Sequence, residues 1–475
     1  MRRRQKIFLF ILLIWSLIIV SSFSSSQKTE PLNKVMATKE SEVFLGKWEG
    51  FIEGKGGIKF QFVFEIMKNK DNTLQCLYSM PLQGLNGEPV QSFSIEGTTV
   101  NITIPLVMFT YSGSLKEDHL TIEGVLRRGE SGPKLILKKV INISSPFRPQ
   151  TPQKPYPYME QDVKFLNLRE DVVLAGTLSY PRSGGPFPAA ILISGAGPQD
   201  RNEEGFGGHR FFHVLADDLT KRGIAVLRYD DRGVGESTGS LDKATSADLA
   251  EDVKGAFRFL KKCSFINPQK IGLIGHSEGG FIAQIVASEI DEIAWIVLMA
   301  GPAISGKEIW LYQLSMFFKQ GAFKEDPAKY IERIIALLDD EPNDDRAREK
   351  IDSIFKEMKY SPEMTKYLIE EIVSPWMRYF LREDPATFLS KVKCPVLALG
   401  GNKDVHVPSS RNLKAVEEIL QKAGNKNFQT IELPKMNHLF QTANTGLPTE
   451  YPLIEETIAP VVLNTIGDWI IKQLK

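Results

Sequence analysis

Two copies of Gly-x-Ser-x-Gly stand in the sequence, Gly275-His276-Ser277-Glu278-Gly279 and Gly235-Glu236-Ser237-Thr238-Gly239. Such a serine becomes a nucleophile where a buried strand runs straight into a helix. The sharp turn then lifts the hydroxyl clear of the sheet, and side chains at the two glycines would collide with the neighbouring strand and helix. The first copy has that context, because KIGLIG reads as a strand and GFIAQIVASEI as a helix. The second follows the loop text YDDRGVG and leads into GSLDKA. Ser277 is therefore the candidate nucleophile, and Ser237 a loop serine.

A serine hydroxyl needs a base to take its proton, and the base needs a carboxylate to orient it. The chain has six histidines: His119, His209, His213, His276, His406 and His438. In the chain order Ser…Asp…His, the acid follows a late strand and the histidine follows the last one. The strand text PVLALGG ends in NKDVHVP, which places Asp404, and FQTIELP leads to KMNHLFQ, which places His438. His406 would have to fold back on the loop it shares with Asp404. His119 lies in an N-terminal unit, and the turn directs His276 away from the hydroxyl it flanks. His438 is read as the base and Asp404 as its acid.

Acyl transfer also needs backbone donors for the developing oxyanion. One is expected from the residue after the nucleophile, Glu278. The other is expected from the glycine-rich loop in LISGAGPQDRN, at Ala196 or Gly197. Asp200, Arg201, Asp230, Asp231 and Arg232 crowd the same sheet edge and are read as ion pairs bracing these loops. SGAGP lacks the Lys-Ser/Thr end of a phosphate loop, and no ligand cluster points to a metal or an organic cofactor.

The elements that must position these groups are legible from residue 161 onward. Eight apolar runs read as strands: VKFLNL, VVLAGTLS, AAILISG, AVLRYD, KIGLIG, WIVLMAG, PVLALGG and FQTIELP. Amphipathic helices lie between them, so a mostly parallel sheet is expected. FFHVLADDLTKRG stops at Gly223, and the helix after Thr245 opens with a capping box closed by Asp248. The alternation fails once, between about 302 and 390, where helical text with its own aromatics (Phe317, Phe318, Trp376, Tyr379, Phe380) predicts a cap over the sheet edge. The cap is expected to set the acyl pocket and these aromatics are candidates to line it, although aromatics at helical spacing read first as packing residues.

Upstream, residues 41–141 alternate in short runs separated by Gly, Asn and Asp turns, the pattern of a small antiparallel all-β domain. Residues 142–160 contain five prolines and read as an extended linker. The start, MRRRQK followed by IFLFILLIWSLIIV and then SSFSSSQK, has the three-part order of a secretory signal peptide over residues 1–25. It predicts export to the periplasm or medium, with a membrane anchor as the outcome if the segment is not cleaved.

Composition excludes other classes. With 58 basic and 58 acidic residues the formal charge is zero, so no overall field draws the protein to nucleic acid. Three cysteines without a CxxC pair supply neither a disulfide framework nor a zinc site.

The longer motifs, RPQTPQKPYPY, LISGAGPQDRN, LADDLTKRGIAVLRYDDRGVGES, IGLIGHSEGG, CPVLALGGNKDVHVP and MNHLFQ, resemble those of exported bacterial carboxylesterase-like members of the α/β-hydrolase superfamily that carry an N-terminal β-domain. The resemblance implies an eight-stranded sheet flanked by helices and carries the triad roles onto Ser277, Asp404 and His438. It implies a small-molecule ester as substrate. Peptidases and acyltransferases share the fold, and an inert surface-binding role is the remaining alternative. The β-domain is open to three roles: placing substrate, pairing copies into a homo-oligomer, or stabilising the whole.

Overall fold

The computed structural model describes residues 35–475 apart from 54–58, 84, 105–108, 128–130, 145–146, 168, 206, 320–326 and 359–361. The signal-peptide reading of residues 1–25 lies outside the described residues. Among those described, no helix is long and apolar enough to cross a membrane.

Two sheets organise the chain. The first gathers ten strands between Val35 and Val140. It is antiparallel throughout, and its two end strands, Val35–Met36 and Ser92–Glu96, come into contact, so the sheet nearly closes on itself. Alternation fills its interior with Trp48, Phe62, Phe64, Ile102, Tyr111, Ile122 and Leu137. Trp48 donates its indole N–H to the Phe44 carbonyl at 2.7 Å, which satisfies the polar atom of a fully buried ring.

The second sheet has eight strands: β1 (Met159–Asn167), β2 (Val172–Tyr180), β3 (Phe187–Ile193), β4 (Ala225–Tyr229), β5 (Ile266–His276), β6 (Ile296–Met299), β7 (Val396–Gly401) and β8 (Phe428–Leu433). Their order is β1-β2-β4-β3-β5-β6-β7-β8. The first two pairings are antiparallel and the rest parallel. Strands β3, β6 and β7 and the Ile271–His276 part of β5 are buried on both faces, which is why they read as continuous apolar runs.

Two apolar layers sandwich this sheet. One packs α2 (Ser246–Lys262), α3 (Glu278–Glu289) and the helix Ser409–Ala423 against it, and the other packs α1 (Phe211–Lys221) and the C-terminal helix Pro460–Gln473. Helix α1 stops before Gly223, whose φ of +95° turns the chain toward β4. At the start of α2 the Thr245 side chain and Asp248 form the reciprocal capping box. Between β6 and β7 come α4 (Gly306–Lys319), α5 (Ala328–Asp340), α6 (Asp344–Glu357), α7 (Pro362–Ile372), α8 (Pro375–Arg382) and the short α9 (Ala386–Leu389). Helices α4 to α8 share their own apolar cluster, so they form a packed unit above the sheet, while Leu389 of α9 joins the layer of α2 and α3.

Candidate active site

Ser277 sits between β5 and α3 with φ +52° and ψ −120°, a conformation costly for any residue with a Cβ. Its neighbours leave no room for a relaxed turn. A Cβ on Gly275 would lie 2.0 Å from the Gly279 carbonyl oxygen, and one on Gly279 would lie 2.0 Å from that of Ile193. The Ser277 amide donates to the Met299 carbonyl at 2.8 Å, anchoring the turn to β6. Ser237, in the second motif copy, spends its hydroxyl on the fold: it donates to the Asp230 carbonyl and accepts from the Ala175 amide.

Asp404 lies just beyond β7 and His438 just beyond β8. His438 Nδ1 is 2.8 Å from Asp404 Oδ2. The other carboxylate oxygen accepts the backbone N–H groups of His406 at 2.7 Å and Val407 at 2.9 Å. Burial alone would raise the Asp404 pKa, but His438, His406 and the Val407 amide outweigh it and hold the group below the ordinary carboxylate value. The acid is therefore a fixed anion beneath the imidazole.

Ser277, Glu278, His438 and Ala196 line one cavity under the cap. Most of its wall is apolar, including Phe281, Ile309, Trp310, Leu368, Trp376 and Phe380. Trp376 and Phe380 stack with ring centroids 5.4 Å apart, so two of the cap aromatics read as packing residues also face the cavity. Tyr379 packs against Phe281, and nothing is described for the side chains of Phe317 and Phe318. Ala196 and Gly197 fall in the loop after β3; Gly197 takes φ +93°, and Ala196 is the one at the cavity wall. The Gly195 amide, one residue earlier, is committed to Glu203 Oε1 at 2.9 Å.

The charged residues at this edge brace the loops. Arg201 clamps Asp230 through two N–H groups, at 3.0 and 2.7 Å, and Arg232 clamps Asp252 in the same way. Asp231 receives the Ser194 hydroxyl and the Gln199 amide, tying the loop after β4 to the loop after β3. Asp200 accepts the amides of Asn202 and Glu204 and so shapes its own turn.

The structure gives three polar side chains here surroundings that the sequence did not indicate. His406 is buried and lines the cavity; burial and the neighbouring His438 push its pKa down to about 3, so it is a neutral ring. Glu371, on α7, carries its carboxyl to the same cavity, and burial raises it to about 8. The Glu278 carboxylate accepts the Ser246 hydroxyl at 2.6 Å and the Trp376 indole N–H at 2.7 Å. Burial raises its pKa, against the pull of those two donors. The surroundings of Glu278 and Glu371 had no local signature, because they are defined by residues far along the chain.

A parallel-sheet core with a strained serine after β5, an acid loop after β7 and a histidine loop after β8 defines an α/β-hydrolase. The profile of the serine aminopeptidase S33 family matches residues 204–442, half of the chain, and the protein belongs to that family. It is 26% identical over 303 residues to the esterase EstD of Thermotoga maritima, an alignment covering 63% of this chain and 66% of that one. It is 30% identical over 146 residues to the thiohydrolase apmlB of Arthrinium phaeospermum, covering 30% and 44%. The chain thus spans just under two thirds of the first relative and less than half of the second. Among solved structures, an esterase of Pyrococcus furiosus aligns over 70% of this chain and 98% of its own, at 17% identity and a TM-score of 0.42.

Proposed function

We propose that this hydrolase cleaves carboxylic esters through an acyl-enzyme. The observation that carries the reading is the 2.8 Å contact between His438 Nδ1 and Asp404 Oδ2, with His438 and Ser277 in the wall of one cavity. Nδ1 engaged by a carboxylate leaves Nε2 to accept the serine proton. In this mechanism the Ser277 hydroxyl attacks the ester carbonyl as His438 takes its proton. The backbone N–H groups of Glu278 and Ala196 hold the oxyanion, and Gly197 shapes the turn that presents Ala196. The alcohol leaves with the proton from His438, and water then releases the acid by the same route.

The apolar wall favours an acyl chain over a charged one, and the relationship to a Thermotoga maritima enzyme named an esterase supports ester over amide. The basic and apolar N-terminal text supports export of the chain.

The test is a panel of p-nitrophenyl esters from acetate to octanoate, run beside aminoacyl anilides on the full chain. Ester turnover that falls by about 10⁴-fold or more in a folded Ser277→Ala variant is expected. Anilide turnover exceeding ester turnover would replace the substrate class. An active Ser277→Ala protein, or a chain that a fluorophosphonate fails to label at Ser277, would end the mechanism.

A further inference from the structure

His276, next to the nucleophile, is buried with both ring nitrogens placed against acceptors. Nδ1 is 2.8 Å from Glu203 Oε1, and Nε2 is 3.0 Å from the His438 backbone carbonyl. A neutral imidazole has one N–H and one lone pair, so it satisfies only one acceptor. Satisfying both a carboxylate and a carbonyl requires two N–H groups, which is the imidazolium form. Glu203 Oε1 also accepts the Gly195 amide at 2.9 Å, so the same oxygen is shared by the His276 ring and the oxyanion loop.

Three loops meet at this pair. Glu203 lies on the loop leading to α1 and is held at φ +47°, a strained backbone for a residue with a side chain. Gly195 precedes the oxyanion residue Ala196, and a Cβ there would sit 3.2 Å from Glu203 Oε1 and 3.3 Å from Ser277 Cβ. The carbonyl that Nε2 meets belongs to the candidate base itself. We propose that Glu203 and His276 form a buried carboxylate–imidazolium clamp that positions the oxyanion loop and the His438 loop on either side of Ser277. The clamp rests on the mechanism above and adds to it two positioning residues that do not touch substrate.

The surroundings are consistent with the charge. Burial works against it, but the Glu203 carboxylate, the His438 carbonyl and Asp404 outweigh burial and raise the His276 pKa. The other titratable groups facing the pair are the His438 ring, 5.0 Å away between centroids, the neutral His406 and Asp231, which faces Glu203. The Phe211 ring closes the remaining side at 4.9 Å. Because the folded pKa is raised, the imidazolium half of the clamp is held at neutral pH and is lost as pH rises through the folded value.

Two measurements test it. In the unsubstituted chain labelled with ¹⁵N-histidine, with the His276 signals assigned by their loss in His276→Gln, both ring nitrogens are expected to be protonated at pH 7. A ring with one bare nitrogen would overturn the clamp. Glu203→Gln keeps an acceptor for the Gly195 amide and removes the charge. It is expected to slow fluorophosphonate labelling of Ser277 by about 10–100-fold, the effect of a small misplacement. Its loss of rate on the alkaline side should also move to lower pH, with the acid side unchanged. His276→Gln, whose amide N–H reaches for the His438 carbonyl, should restore more of the rate than His276→Ala. An unchanged pH profile in Glu203→Gln, or equal rates in the two His276 variants, would leave only a packing role and overturn the proposal. The ¹⁵N readout needs no turnover, so failure of the ester mechanism and failure of the clamp are seen separately.

Discussion

Ser277 occupies φ +52°, and that single dihedral states the bargain at the turn. A glycine there would relax the backbone, whereas alanine would keep the strain without the hydroxyl. Ser277→Gly is therefore expected to be more stable than Ser277→Ala by about 1–2 kcal/mol in urea melts. Asp404 makes the matching case for the acid. Asp404→Asn would keep an acceptor for the His406 and Val407 amides but can turn an N–H toward His438 Nδ1. The imidazole would then be held in the tautomer that carries its proton on Nε2, and turnover should fall by about 10³–10⁴-fold with little change in melting temperature. These positions could be read from the text because strand ends followed by Gly-x-Ser-x-Gly, Asn-Lys-Asp and Met-Asn-His are local patterns. The partnership of Glu203 and His276 could not, since 73 residues separate them and nothing near either announces the other.

At the scale of elements, the cap is tied to both halves of the site. Tyr312 on α4 donates its hydroxyl to the Asp404 carbonyl at 2.8 Å, and Trp376 on α8 donates to the Glu278 carboxylate beside the nucleophile. Trp376→Phe would keep the stacked ring but leave that buried carboxylate short of a donor, at an expected cost of about 1–3 kcal/mol in thermal or urea unfolding. Glu371 gives the cap a pH dependence of its own. Its carboxyl is raised to about 8, so the folded state holds a proton that the unfolded chain releases at lower pH. Stability from this group is thus present below the ordinary carboxylate value and declines as pH rises toward 8. Glu371→Gln is expected to match the natural chain near pH 5 and to exceed it by about 1–3 kcal/mol above pH 8, in melts at the two pH values. A constant difference between the two would refute the assignment. The helical period revealed the cap as a set of helices, but not which face looks into the cavity, because that face is set by helices packing on one another.

For the whole molecule, the strand alternation before residue 141 identified an all-β unit, while its near closure depends on pairings such as Gly46–Glu53 with Lys134–Val140, about ninety residues apart. How this unit meets the catalytic one is written in a few hydrogen bonds. The Gly207 amide donates to the Pro81 carbonyl at 2.9 Å, linking the β-unit to the loop that bears Glu203. From the proline-rich stretch, Arg148 donates to the carbonyls of Gly207, Pro452 and Ile454 at 3.1, 2.8 and 2.7 Å. Gln150 adds bonds to the amides and carbonyl at Thr457 and Ile458. The stretch is therefore fastened to the catalytic unit and does not act as a free tether. Burial lowers the Arg148 pKa to about 10, still far above neutrality, so the guanidinium stays charged. Arg148→Ala should lower stability by about 1.5–3 kcal/mol, the worth of a hydrogen bond to a charged group, because carbonyls released at this partly open site regain water. It should also slow labelling of Ser277 more than an equally destabilising substitution elsewhere, since Gly207 and Glu203 share one loop. Labelling rates for Arg148→Ala and Trp48→Phe, compared at equal stability by adjusting urea, decide the point. Equal rates would confine the proline-rich stretch to a stabilising role, and a slower Arg148→Ala would show that the position of the loop reaches the nucleophile.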